Sequence, residues 1–149
     1  MKTVLFSVAA LAALGLVVYA AMAVMSQKMP DNLGLKDGQL TPCPESPNCV
    51  CSESHTANDA EHYIQAIQGN KTTWDKLKKV IQAQGGTIES DNGLYMHATF
   101  RSAVFQYVDD VELRLDEASN TIHIRSASRM GRKDFGVNRK RVEAIKKAL

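Results

Sequence analysis

Residues 94–128 read LYMHATFRSAVFQYVDDVELRLDEASNTIHIRSAS, and their period-two alternation decides the fold. In Leu94–Arg101, Leu94, Met96, Ala98 and Phe100 point one way, and Tyr95, His97, Thr99 and Arg101 the other. In Tyr107–Asp116, Tyr107, Val111, Leu113 and Leu115 share a face with Asp109, while Asp110, Glu112, Arg114 and Asp116 take the opposite face. Thr121–Ser128 turns Ile122, Ile124, Ser126 and Ser128 inward and His123 and Arg125 outward. Such alternation marks half-buried strands. The turn Glu117-Ala118-Ser119-Asn120 predicts a hairpin register in which Asp116 faces Thr121, Leu115 faces Ile122, Leu113 faces Ile124, Glu112 faces Arg125 and Asp109 faces Ser128. The sheet is expected to be antiparallel, with one face on the core and one more open.

Upstream, a short strand is predicted over Thr87–Ser90, and before it a helix over Thr73–Gln84. Thr72 suits the N-cap, with Asp75 three residues on. Trp74, Leu77, Val80 and Ile81 fall on one helical face, which makes Trp74 a core anchor, and Gly85-Gly86 ends the helix. Downstream, Asn138–Leu149 is a second predicted helix, with Asn138 as N-cap and Val142, Ile145 and Leu149 as its apolar stripe. The expected class is α+β: a small antiparallel sheet of about four strands packed with two helices, preceded by an N-terminal hydrophobic helix.

A chain of 149 residues that is 44% hydrophobic and 23% charged is ordinary globular material for one domain. Residues 1–27 are expected to be a signal anchor or signal peptide, 28–40 a polar linker, and 41–149 the domain. No charge lies between Lys2 and Lys28, and Val4–Met25 is almost wholly apolar. As a helix it would cover about 33 Å, enough for a bilayer core of about 30 Å. A cleaved signal has a shorter apolar run, yet Ala21-Met22-Ala23 is an acceptable cleavage site. Lys2 favours a cytoplasmic N-terminus, so the domain is expected at the cell envelope, facing the periplasm, either anchored or released. The membrane is then a partner through this helix.

Cys43, Cys49 and Cys51 lie within nine residues. Export would permit disulfides. Cys43–Cys49 would close a small loop stiffened by Pro44 and Pro47, worth about 2 kcal/mol, and Cys49–Cys51 is too tight for a usual bridge. A metal reading with His55 and His62 lacks the spacing of zinc sites; a C-x-C redox site and three reduced thiols are the other readings. No metal or cofactor is expected.

Charge is unevenly spread. Residues 30–128 hold 8 Lys+Arg against 14 Asp+Glu, and residues 129–149 hold 8 against 2. The basic block, RSASRMGRKDFGVNRKR from Arg125 to Arg141, mixes arginine with Ser, Gly and Asn. Arginine recognises planar anions with a fixed fork of donors. The block is short and has no nucleic-acid motif, so no nucleic-acid partner is expected. Arg139, Lys140 and Arg141 stand in the first turn of a helix, where the helix dipole disfavours cations. An anion docked there would resolve the conflict. The expected ligand-binding set is Arg101, Arg125, Ser126, Ser128, Arg129, Asn138, Arg139 and Arg141. The competing reading is internal: Asp109 falls on an apolar face, where Arg129 or Arg139 would neutralise it, and Asp134 pairs structurally within the basic block.

Asp110 and Glu112 share a face with His97 or His123 nearby. They are the weak catalytic candidates, although a solvated sheet face explains them equally well. No nucleophile elbow, P-loop or H-E-x-x-H motif is present.

The segments CPESPNCV (43–50), FRSAVFQYVDDVELRLD (100–116) and IRSASRMGRKDFGVNRKRVEAI (124–145) resemble the signature blocks of the domain of unknown function 1499 family. The resemblance implies an exported or envelope-associated protein and supplies no catalytic residues. Family members commonly have Ser at the position of Cys51, which supports Cys43–Cys49 as the bridge and Cys51 as an extra thiol. Three functions stay open: binding of an anionic small molecule or an envelope protein at the arginines; hydrolysis of an anionic envelope metabolite, with Asp110 or Glu112 as base; and a purely structural role.

Overall fold

The computed structural model describes residues 2–149, with the side chains of residue 7 and of residues 10–149. Its elements are α1 (Lys2–Ser26), β1 (Leu35–Lys36), β2 (Gln39–Leu40), β3 (Cys49–Cys51), β4 (Ile67–Gln68), α2 (Lys71–Ala83), β5 (Thr87–Asp91), β6 (Tyr95–Arg101), β7 (Val108–Asp116), β8 (Thr121–Ser128) and α3 (Val137–Lys147). The class is α+β. Among the described residues one sheet runs β3-β8-β7-β6-β5, with β4 also paired to β8, and every pair is antiparallel.

That is six strands where about four were expected. The two additions are three and two residues long and sit among Pro, Ser and Asn. They have no periodicity of their own, and form because β8 offers them its free edge. The β7–β8 register is the predicted one at all five pairs, Asp116↔Thr121 through Asp109↔Ser128.

α2 starts two residues earlier than expected. Asn70, not Thr72, is the N-cap, and its side chain accepts from Thr72 N–H at 3.0 Å. Trp74, Leu77 and Ile81 are fully buried; burial of such side chains stabilises by about 1.5–3 kcal/mol each. Trp74 also donates its indole N–H to Asp91 at 3.1 Å. The helix ends at Gly85 (φ 88°). Gly86 then passes so close to the core that a Cβ would lie 2.7 Å from both Ile81 and Phe100. The core joins α2, α3 (Val142, Ile145) and the inner sheet face of Met96, Ala98, Phe100, Val111, Leu113, Leu115, Ile122 and Ile124.

The outer face is not open. His97, Asp110, Glu112 and Arg125 are all at most 4% exposed. The cover is the segment expected as a polar linker and the cysteine loop behind it: the β1–β2 hairpin, with Leu40 fully buried, packs against β7 and β8. Charged alternation usually signals solvent, but these acids and bases neutralise one another pairwise, so the face can be covered. Cys43 and Cys49 form the disulfide, and Cys51 is a buried free thiol.

The N-terminal helix is present as α1. Residues 4–6, 8 and 9 of the expected apolar run lie outside the described side chains; among the described residues no helix is long and apolar enough to cross a membrane. Its C-terminal end docks on the domain, where Ser26 is fully buried and Tyr107 donates its hydroxyl to Tyr19 O at 3.2 Å.

Candidate functional site

The sheet divides the arginines predicted to act together. Arg125 and Arg129 serve the outer face, whereas Arg139 and Arg141 belong to α3 on the other side. Each group finds an internal partner.

Beneath α3, Arg141 donates to Asp109 Oδ2 at 2.6 Å and to Asn138 Oδ1 at 2.7 Å, and lies 4.7 Å above the Phe100 ring. Arg141, rather than Arg129 or Arg139, therefore neutralises the aspartate on the apolar face. Asn138 is not the N-cap of α3. Gly136 takes that place in a left-handed conformation, and Asn138 is buried two residues further on, inside the first turn. Its amide donates to Ser128 Oγ at 2.9 Å and Asn48 O at 3.0 Å, while Ser126 donates to its Oδ1. The anion expected at this helix start is the protein's own: Asp134 accepts from Gly136 N–H and Asn138 N–H, both at 2.9 Å. Arg139 reaches away to the carbonyls of Tyr63 and Glu61, both at 2.9 Å. Arg101 donates to Gln27 Oε1, and Arg129 donates to the carbonyl of the same residue at 3.1 Å.

The outer face carries three linked ion pairs. Glu112, fully buried, accepts from Arg125 Nη1, Gly34 N–H and Tyr95 O–H, each at 2.7 Å. Burial, then the charge of Glu112, pushes the Tyr95 phenol well above its ordinary range, so it stays a donor. Asp110 accepts from Arg129 Nε at 2.8 Å, from Arg129 Nη2 at 2.7 Å and from His97 at 2.7 Å. Burial would raise its carboxyl, but Arg129 and His97 outweigh that and hold it below the usual carboxylate range. Glu53, which the sequence reading missed, takes Arg114 in a two-pronged pair at 2.8 and 2.9 Å and Leu40 N–H at 3.1 Å. Here too burial works upward, and Arg114 with the Leu40 amide brings the carboxyl down. Glu53 sits in an irregular stretch with no periodicity, so no sequence pattern points to it.

Asp110 and Glu112 are thus the acceptors of two buried ion pairs. His97 contacts Asp110; His123 contacts Glu53 instead, at 3.3 Å. Among the described residues no group of three or more His, Cys, Asp or Glu is placed to hold a metal ion.

Among the described residues one buried side-chain donor is left over. Arg125 is 1% exposed, and its Nε is buried with no hydrogen-bond partner. Arg125 lines a cleft of about 210 Å³ together with Asp110, Arg129, Pro30, Asn32 and two residues of the disulfide loop, Pro44 and Ser46. An unsatisfied buried donor costs roughly 1–3 kcal/mol. Of the eight residues expected to bind a ligand, Arg125, Ser128 and Arg129 line this cleft; Arg101, Ser126, Asn138, Arg139 and Arg141 do not.

A family model described as "Protein of unknown function (DUF1499)" matches residues 39–149. No curated protein and no solved structure matches the chain.

Proposed function

The chain belongs to the DUF1499 family of proteins of unknown function, and from that premise we propose that it is a membrane-tethered envelope domain whose outer-face cleft binds one small anionic group, such as a carboxylate or phosphate. The observation that carries the reading is a cleft of about 210 Å³ lined by the two cations Arg125 and Arg129, of which Arg125 keeps a buried Nε without a hydrogen-bond partner. Arg129, also at the cleft, adds positive charge, although Asp110 already occupies its fork. Arg139 and Arg141 act structurally in this reading. The uncharged run of residues 4–25 supports the tether, and the Cys43–Cys49 bridge supports an oxidising compartment.

Removing Arg125 alone would strand Glu112, so the test is the neutral pair Arg125→Gln with Glu112→Gln. Isothermal titration of the full chain with acetate, succinate and inorganic phosphate is expected to show saturable binding of at least one. The double variant should keep the wild-type circular dichroism and lose that binding at least tenfold. Binding that survives intact in the double variant would overturn the reading, as would its absence from the wild type for all three probes.

A further inference from the structure

A second surface lies around the end of α1; its groove shares Ser128 and Gly131 with the lining of the cleft, but neither Arg125 nor Arg129. Phe135 is 88% exposed and Val104 79% exposed. Phe135 also has a positive φ of 55°, a conformation that large side chains rarely adopt. Nothing inside the domain holds this ring in place. Its sequence neighbours Arg132 and Lys133 are exposed and have no acidic partner among the described residues. The nearest acid in sequence, Asp134, is committed to the start of α3.

The patch is continuous with the apolar helix. Tyr19 and Met22 of α1 line one groove of about 370 Å³ with Met130, Lys133, Phe135 and Val137. On the same side, Tyr19 stacks on Phe105 at 5.1 Å, and Phe105 lies 5.9 Å from Tyr107. Beyond Tyr19 the helix continues away from the domain with Leu14, Leu16, Val17 and Val18 all at least 51% exposed. Aromatic rings at one level, exposed cations beside them and an apolar helix leaving from the same place form the pattern of a membrane–water interface. The cations add attraction to anionic headgroups, each worth about as much as a juxtamembrane basic residue usually is.

We propose that the Val104–Tyr107 loop and the Arg132–Val137 loop rest on an anionic lipid surface, with Phe135 inserted among the acyl chains and Arg132 and Lys133 on the headgroups. This rests on the reading that the N-terminal segment is seated in the membrane. It would hold the domain in one fixed orientation on the bilayer, whereas a bare tether would leave it free to tumble.

The test uses the full chain reconstituted into vesicles of equal parts phosphatidylcholine and phosphatidylglycerol with brominated acyl chains. Phe135→Trp places a fluorophore on the patch. Leu94→Trp, 46% exposed at the end of β6 opposite Arg101, is the control, and the native Trp74 is fully buried in both. The expected result is a blue-shifted emission from the Phe135→Trp chain, quenched several-fold more strongly by brominated lipid than that of the control. Adding Arg132→Glu and Lys133→Glu should bring its quenching down to the control level. If the chain floats with the vesicles but the two reporters are quenched alike, the surface contact is wrong and the tether stands. If the chain does not float with vesicles at all, the tether reading fails and the contact with it. A concentration-dependent blue shift in detergent, with cross-linked dimers and no lipid quenching, would assign the patch to a second copy of the chain and overturn the proposal.

Discussion

Asp110 shows how one residue's surroundings set its behaviour. It is 2% exposed and accepts from Arg129 twice and from His97 once. Its folded carboxyl lies below the usual range. A depressed carboxyl contributes stability above its unfolded value, about 3.9, and the contribution is lost as pH falls through the folded value. The wild type should therefore lose stability below about pH 4 more steeply than Asp110→Asn does. At pH 7 the variant should be less stable by roughly 3–5 kcal/mol, because it leaves Arg129 without its counter-charge. Denaturant unfolding at pH 7, 5 and 3.5 reads both effects, and parallel pH profiles for the two chains would exclude this role. Arg125 differs in that its Nη1 is paired while its Nε is not. The aspartate was legible in sequence as a charged position on a strand; its partner Arg129, nineteen residues on, was not, because pairing at that distance depends on where β8 ends.

The helix α3 illustrates the same limit for an element. Three cations in its first turn read as an anion site, and the carboxylate of Asp134, just ahead of the helix, accepts from two of its leading backbone N–H groups. Asp134 also accepts from the Asn138 amide at 2.9 Å. Removing such a cap costs about 0.5–2 kcal/mol. Asp134→Ala should lower the unfolding free energy by about that amount, and by more than Glu143→Ala, whose carboxylate lies on the exposed side of the same helix. Equal effects in a denaturant titration would show that the cap adds nothing. The length of α3 and two residues of its expected apolar stripe, Val142 and Ile145, were legible; Leu149, the third, lies past the helix end and is exposed. Its start was not, because both Asp134 and Asn138 suit a cap by type, and only the left-handed turn at Phe135 and Gly136 decides between them.

For the whole molecule, the cover over the outer face matters most. Residues 28–56 bring little periodic structure, yet they cover this face and supply Gly34 N–H to Glu112 and Glu53 to Arg114, with Leu40 N–H holding Glu53 in turn. The Cys43–Cys49 bridge holds part of that cover. Replacing both with Ser should destabilise the chain by about 2 kcal/mol. Cys51 provides an internal control. Burial pushes its thiol up to about 11, so iodoacetamide at pH 8 should leave it unmodified in the folded wild type and label it once on unfolding. Labelling of Cys51 in the folded double variant would show that the cover had opened; protection equal to wild type would show that the bridge is not needed to keep it closed.

By itself the sequence determined the α+β class, the antiparallel β7–β8 register, the buried face of α2 with Trp74, and membership of the family. These follow from local periodicity, turn chemistry and contiguous blocks, which a linear chain displays directly. Only the tertiary structure decided that the arginines split into two groups on opposite faces of the sheet. It also decided that Asp109 pairs with Arg141, that Glu53 completes a third ion pair, and that, among the described residues, Arg125 keeps a buried side-chain donor without a partner. Ion pairing depends on distances of about 3 Å between residues far apart in the chain. Those distances are fixed by which segment covers which face, and no pattern of residue types records that.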